Sequence, residues 1–217
     1  MKTYNMPETV LAFIFDMDGT LYTHHEYLQF QIDILIERLA KLRSVSFKEM
    51  QENISLYRKK YAEKNNGRQI SLSTALNTFG ISIPESIKWR EELFEPSLFL
   101  NVDHKLKETL SKLSSYYKLA VVTNNPVLVA RKTLIALSVE NYFSVIVGLD
   151  TCMVSKPHSA PFLTVAKQCN VSEKNCVSVG DRYDIDIALP LELGMGGILV
   201  DGVEDVYELP AIAGLKI

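Results

Sequence analysis

The chain has 217 residues, enough for one large domain or for one domain with a small insert. Hydrophobic residues make up 47% and charged residues 23%, with a formal net charge of −3. This is an ordinary globular composition without the basic surplus of a nucleic-acid binder, and no stretch approaches the ~20 apolar residues of a membrane span.

The first residues lack the layout of a secretory signal, so a cytoplasmic location is expected. Cys152, Cys169 and Cys176 form no CxxC pair and read as reduced, mostly buried thiols. The run from Val10 to Phe15 is apolar throughout and ends in Asp16-Met17-Asp18-Gly19-Thr20. It predicts a strand buried on both faces that delivers two carboxylates to the rim of a sheet.

The period then changes. Leu28, Ile32, Leu35, Ile36, Leu39 and Leu42 mark a helical stripe over about 24–43. Ser46 with Glu49 reads as a capping box opening a helix to about Lys64, closed by Asn65-Asn66-Gly67. Shorter helices are predicted over 71–79 and 84–94, punctuated by Gly80 and Pro84. Next comes a helix from about Asp103 to Ser115. Strands over 119–123, 145–147, 176–179 and 197–200 then alternate with helices over 126–137, 161–169 and 185–193. Such alternation argues for a parallel sheet with right-handed crossovers. The expected architecture is α/β: a doubly wound, Rossmann-like parallel-sheet core (1–21 and 96–217) with an inserted all-helical cap domain (22–95).

Four strand or loop ends of that core carry polar residues. They are Asp16-Met17-Asp18-Gly19-Thr20, Thr123-Asn124-Asn125, Ser155-Lys156-Pro157 and Gly180-Asp181-Arg182-Tyr183-Asp184-Ile185-Asp186. Asp16 and Asp181, from two strand ends, could hold a hard cation such as Mg²⁺. A carboxylate can also act as nucleophile, and a second acid can protonate a leaving group. A hydroxyl, backbone N–H groups and a lysine can offset charge on a transferring phosphoryl group. Lys156 precedes a proline, which favours an extended loop there.

These four segments, in this order, resemble the four motifs of the haloacid dehalogenase-like hydrolases. The insert after the first motif is similar to that family's C1-type helical cap. The resemblance implies a Mg²⁺-dependent phosphatase acting on a small phosphorylated metabolite through an aspartyl-phosphate. It implies Asp16 as nucleophile and metal ligand, and Asp18 as general acid and base with its main-chain carbonyl on the metal. Thr123 and Asn124 would bind the phosphoryl group, Lys156 would neutralise Asp16 and phosphate, Asp181 would ligate metal, and Asp186 would support the metal's water shell. Asp184 is an extra acid within the fourth motif that could share the role of Asp186. Phosphoglycolate, nucleotide and sugar phosphate substrates all remain open.

Each residue also has a plainer reading. Asp16 and Asp18 could form a turn after a strand, and Thr123 could simply end one. Asn124 and Asn125 could cap a helix with Pro126 at its first position, and Lys156 could be a solvated lysine. Asp181, Asp184 and Asp186 could be the acidic first turn of a helix. His24, His25 and Arg68 read as surface groups, although Arg68 could meet a substrate carboxylate or phosphate. Tyr57, Tyr61 and Trp89 read as cap core.

A dehalogenase needs no acid at Asp18, because halide leaves without a proton. By the same resemblance, a phosphonate hydrolase of this family would use a cap lysine to form a Schiff base, whereas Lys41, Lys48, Lys59, Lys60 and Lys64 lie in polar helix-surface contexts. A sugar-phosphate mutase stays open as the alternative. A non-catalytic binding or regulatory module would be expected to have lost one of the four motifs, and none is lost. A monomer is the default.

Overall fold

The computed structural model describes residues 1–214, and its centre is one six-stranded sheet. The strands are β1 (Lys2–Tyr4), β2 (Ala12–Phe15), β3 (Lys118–Val122), β4 (Val145–Val147), β5 (Cys176–Gly180) and β6 (Gly196–Leu199). Their order across the sheet is β1-β6-β5-β2-β3-β4. All pairs are parallel except β1 with β6. The mixed edge differs from the wholly parallel sheet expected: Lys2-Thr3-Tyr4 has no apolar run to announce a strand, and its pairing with Gly197–Leu199 is made in three dimensions.

As predicted, β2 is buried along its whole length. Side chains of a strand alternate between faces. Phe13 and Phe15 therefore join one core cluster, while Ala12 and Ile14 join the other. On the first face lie the helices His104–Ser114 (α5), Val127–Ala136 (α6), Val203–Tyr207 (α10) and Leu209–Ile212 (α11), through Leu110, Leu134, Val206 and Leu209. On the second lies Ser159–Cys169 (α8), through Phe162, Val165 and Ala166. The pair α10 and α11 and a single turn, Leu149–Cys152 (α7), were not foreseen. They are too short for hydrophobic periodicity to register.

Four helices follow β2 before α5 and β3: α1 (His25–Arg43), α2 (Phe47–Lys64), α3 (Leu72–Thr78) and α4 (Ile83–Leu93). Their boundaries follow from local capping. Ser46, Ser71 and Ser82 each accept a hydrogen bond from the N–H three residues on, at 3.2, 3.1 and 3.3 Å. The four helices bury a cluster of their own, including Leu35, Leu39, Ile54, Leu76 and Trp89, which Val129 of α6 also joins. Among the described residues no helix is long and apolar enough to cross a membrane.

One predicted helix is broken. Instead of a continuous helix over 185–193, a π-helical turn at Tyr183–Ile187 is followed by Ala188–Glu192 (α9). Pro190 explains the break, since it has no N–H to offer the carbonyl of Asp186 four residues back. That carbonyl accepts instead from the hydroxyl of Ser178, on β5, at 2.7 Å. We expect Ser178→Ala, which leaves a buried carbonyl unmatched, to cost about 1–3 kcal/mol. A lowered urea midpoint at unchanged slope would report it, and an unaltered midpoint would refute it.

Candidate active site

From β2 the chain proceeds to β3 and β4 on one side, while β5 pairs on the other. The strand order therefore reverses between β2 and β5, and ligands of open α/β sheets sit in the crevice at such a point. Asp16 follows β2 directly and its N–H donates to the carbonyl of Val179 at 2.8 Å. Asp181 follows β5 directly. The two acids thus sit side by side because their strands are hydrogen-bonded neighbours.

Two glycines make room for them. At Gly19 (φ +84°) a Cβ would lie 2.7 Å from Oδ2 of Asp181, and at Gly180 it would lie 2.7 Å from Cγ of Asp186.

Lys156 ties the cluster together. It is 1% exposed, and its ammonium donates to Oδ1 of Asp16 and Oδ1 of Asp186, both at 2.6 Å. Burial pulls its pKa down, but the charges of Asp16 and Asp186 more than offset this and hold it above the ordinary lysine value. Asn124 holds the lysine's backbone: its Oδ1 accepts from the N–H of Lys156 at 2.7 Å and its Nδ2 donates to the Lys156 carbonyl at 3.4 Å. Thr123 is buried, and its hydroxyl accepts from the N–H of Asn125 at 3.1 Å.

Asp18 points elsewhere. Its Oδ1 accepts from the hydroxyl of Tyr22 and, at 3.0 Å, from Nε2 of Gln31 on α1. Its Oδ2 accepts from Nδ2 of Asn125 at 2.8 Å. Burial, then the charge of Asp16, raise its pKa above the carboxylate norm, and the bonds from Tyr22 and Gln31 partly restrain the shift. Two acids two residues apart are thus held in different environments. Tyr22 and Gln31 were not singled out from the sequence. Gln31 is a polar residue buried within the apolar stripe of α1, and that anomaly was the available signal.

A helix-capping role for Asn124 and Asn125 is not what the structure shows. The first N–H of α6, from Val127, donates to Asp150 at 2.9 Å. The two amides serve Lys156 and Asp18 instead.

Carboxylate oxygens of Asp16, Asp181 and Asp186 lie within 4.8 Å of one another. Burial, followed by the charge of Asp16, pushes Asp181 up to about 7. Burial and Asp16 also raise Asp186, against the pull of Lys156. Oδ2 of Asp16 and Oδ1 of Asp181 are buried without a hydrogen-bond partner among the described residues. Four carboxylates, counting Asp18, face the cations of Lys156 and Arg182, whose Nε lies 3.7 Å from Asp181 and 3.9 Å from Asp186. Orphaned hard oxygens and surplus negative charge suit an oxygen-ligated divalent cation.

The remaining candidates fall outside this cluster. Asp184 accepts from the N–H of Gln69, in the segment before α3, at 3.3 Å. His24 caps α1, its Nδ1 accepting from the N–H of Tyr27 at 3.1 Å, and His25 is exposed. Arg68 is exposed and lies 3.8 Å from Glu192. Trp89 is buried under the guanidinium of Arg38, while Tyr57 and Tyr61 pack at the edge of the same cluster. All three cysteines are free thiols, Cys169 and Cys176 buried and Cys152 half-buried.

Residues 10–193 match the family model of the haloacid dehalogenase-like hydrolases, a span that includes all four motifs. The chain belongs to this family. Among curated relatives of this hydrolase, a phosphoglycolate phosphatase of Pectobacterium atrosepticum is 33% identical over 133 residues, covering 57% of this chain and 56% of the relative. A phosphoglycolate phosphatase of Colwellia psychrerythraea is 38% identical over 72 residues, covering 33% of this chain and 32% of the relative. The chain thus spans about a third to a half of the length of these relatives. The fold resembles a crystal structure of a phosphatase of the family from Thermococcus onnurineus (TM-score 0.62, 22% identity, 94% of this chain and 98% of that one).

Two outcomes follow from the packing of the hydrolase's cluster. Lys156→Met strands two buried carboxylates and should cost about 3–5 kcal/mol, read as a lower urea midpoint. Gly19→Ala combines a left-handed backbone with a clash at Asp181 and should cost about 1–3 kcal/mol. If either variant matches the wild type in stability, the geometry described is wrong.

Proposed function

We propose that the protein is a Mg²⁺-dependent phosphatase that hydrolyses a small phosphomonoester in the cytoplasm through an aspartyl-phosphate. One observation carries this reading. At the end of a single strand, Asp16 is ion-paired to Lys156 with its second oxygen unpartnered among the described residues, while burial and the charge of Asp16 raise the pKa of Asp18, two residues on. Nearby acids kept in different environments take different roles in acid–base chemistry.

In this reading Asp16 attacks phosphorus while Asp18 gives its proton to the departing alcohol oxygen. Asp18 then takes a proton from the water that opens the aspartyl-phosphate. Lys156 and the N–H groups around Thr123 and Asn124 offset charge on the phosphoryl oxygens. The side chains of Asp16 and Asp181, with the main-chain carbonyl of Asp18, would hold Mg²⁺, and Asp186 would support its water shell. When bound, the ion supplies charge neutralisation to the phosphoryl group.

The matching division of the chain is a catalytic core of 1–21 and 96–217 under a cap of 22–95. The cap covers the site, excludes bulk water and selects the leaving group. The phosphoglycolate phosphatases among the relatives support phosphate ester chemistry.

Hydrolysis of p-nitrophenyl phosphate should require Mg²⁺ and stop in EDTA. It should fall by roughly 10³-fold or more in Asp16→Asn and by about 10²–10⁴-fold in Asp18→Asn. Wild-type rates in Asp16→Asn, with contaminating phosphatase excluded, would overturn the assignment.

A further inference from the structure

Three side chains that take no part in the proposed chemistry converge on Asp18: Tyr22, Gln31 and Asn125. Local structure places the first two. After Asp16 the chain turns through Gly19, and the N–H of Leu21 donates to the carbonyl of Met17 at 2.9 Å. The turn returns Tyr22 to the side of Asp18, where the two residues form a single β-bridge. The Tyr22 ring packs on Tyr27 with centroids 5.8 Å apart, and Tyr27 stacks on Phe99 at 4.9 Å. Gln31 lies in the second turn of α1, on its buried face.

An amide nitrogen carries two hydrogens and a phenol carries one. Gln31 gives its two to Oδ1 of Asp18 at 3.0 Å and to the Tyr22 oxygen at 2.9 Å. Tyr22 gives its one to Oδ1 of Asp18. Asn125 gives its two to Oδ2 of Asp18 at 2.8 Å and to Oε1 of Gln31 at 3.1 Å. All three side chains are buried. Every hydrogen is used inside this ring, so a donor withdrawn from Asp18 would go unmatched in a buried place. Arg90, the buried cation of α4, behaves differently. It donates to Ser86 and Ser73, both within the helical insert, whereas the bonds of Gln31 reach the site itself.

A carboxylate offers about four lone-pair sites, two on each oxygen. On Asp18 both sites of Oδ1 are filled, and one of Oδ2. The site left open is on Oδ2, and the carboxyl group cannot rotate away without breaking these bonds.

We propose that Tyr22 and Gln31 are positioning residues for proton transfer. By occupying Oδ1 they leave Oδ2 of Asp18 as the oxygen that gives a proton to the departing alcohol and later takes one from water. The proposal rests on the phosphatase reading and adds two residues to it. In the first step the bond from Asp16 to phosphorus forms. The ester bond breaks with its electron pair on oxygen, and that oxygen takes the Oδ2 proton. In the second step water adds to phosphorus and passes a proton to Oδ2, while the bond to Asp16 breaks with its pair returning to the carboxylate. Asn125 keeps its bond throughout, because a protonated Oδ2 still has a lone pair to accept it.

Leaving groups of different basicity test this on the Mg²⁺-loaded full chain. p-Nitrophenolate departs with little help from a proton, whereas phenolate is the stronger base and needs more. The ratio of kcat/KM for p-nitrophenyl phosphate to that for phenyl phosphate therefore reports proton delivery. Tyr22→Phe removes a single oxygen, and Gln31→Met keeps the length of the side chain without its donors. Each should raise the ratio by roughly 10-fold over wild type. Asp18→Asn should raise it at least as far, and adding Tyr22→Phe to Asp18→Asn should raise it no further, because both act on one proton.

Equal losses on the two esters, in whichever of Tyr22→Phe and Gln31→Met folds, would make these side chains supports of the fold and overturn the proposal. A further rise in the ratio when Tyr22→Phe joins Asp18→Asn would also overturn it, since Tyr22 would then act elsewhere. If Tyr22→Phe fails to fold, Gln31→Met decides by the same ratio. A wild type that hydrolyses neither ester, or an Asp18→Asn variant with the wild-type ratio, defeats the phosphatase reading and the proposal with it.

Discussion

The structure turns on one ammonium group and the two carboxylates it holds. Lys156 comes from the loop before α8, Asp16 from the end of β2 and Asp186 from the π-helical turn after β5. These segments are far apart in the chain, and no apolar contact would specify their spacing to a fraction of an ångström. Buried charges do, because each is costly unless matched at hydrogen-bond distance. The amide of Asn124 adds a backbone clamp on the lysine, so a fourth segment is drawn into the same arrangement. The sheet brings the strand ends together, and the charge network sets their distances.

A second division of labour lies within five residues. Asp16 stays with the sheet, whereas Asp18 is handed to a network that reaches into the helical insert through Gln31. Helix α1 therefore contributes atoms to the surroundings of an acid as well as a roof over it. Asn125 closes the network from the core side, bonding both Asp18 and Gln31. The surroundings of Asp18 are in this sense a property of two layers of the molecule.

Much of this was legible in the sequence where local rules dominate. The buried strand Ala12–Phe15 lies within six consecutive apolar residues, Val10–Phe15, a run that suits an element covered on both faces. The Ser46 capping box and the punctuation by Gly80 and Pro84 placed helix starts of the insert to within a residue or two. The rule that chemistry gathers at strand ends put Asp16 and Asp181 on one rim before any pairing was known.

What escaped detection depends on long-range partners. Strand β1 exists because β6 has a free edge, and the short helix α9 because Pro190 breaks a hydrogen-bond ladder whose loose end a serine on β5 collects. Arg90 and Gln31 sit on the buried faces of amphipathic helices, where a polar side chain looks like an interruption until its partners are seen.

The edges of the sheet carry a last consequence. Both outermost strands, β1 and β4, are three residues long. An exposed strand edge is a template on which another chain can add, and shortness is one way proteins blunt it. The strands that deliver Asp16 and Asp181, β2 and β5, are interior, with both sides already paired. Intermolecular strand addition, the common route from a partly opened sheet to aggregation, would have to begin at segments that carry none of the carboxylates.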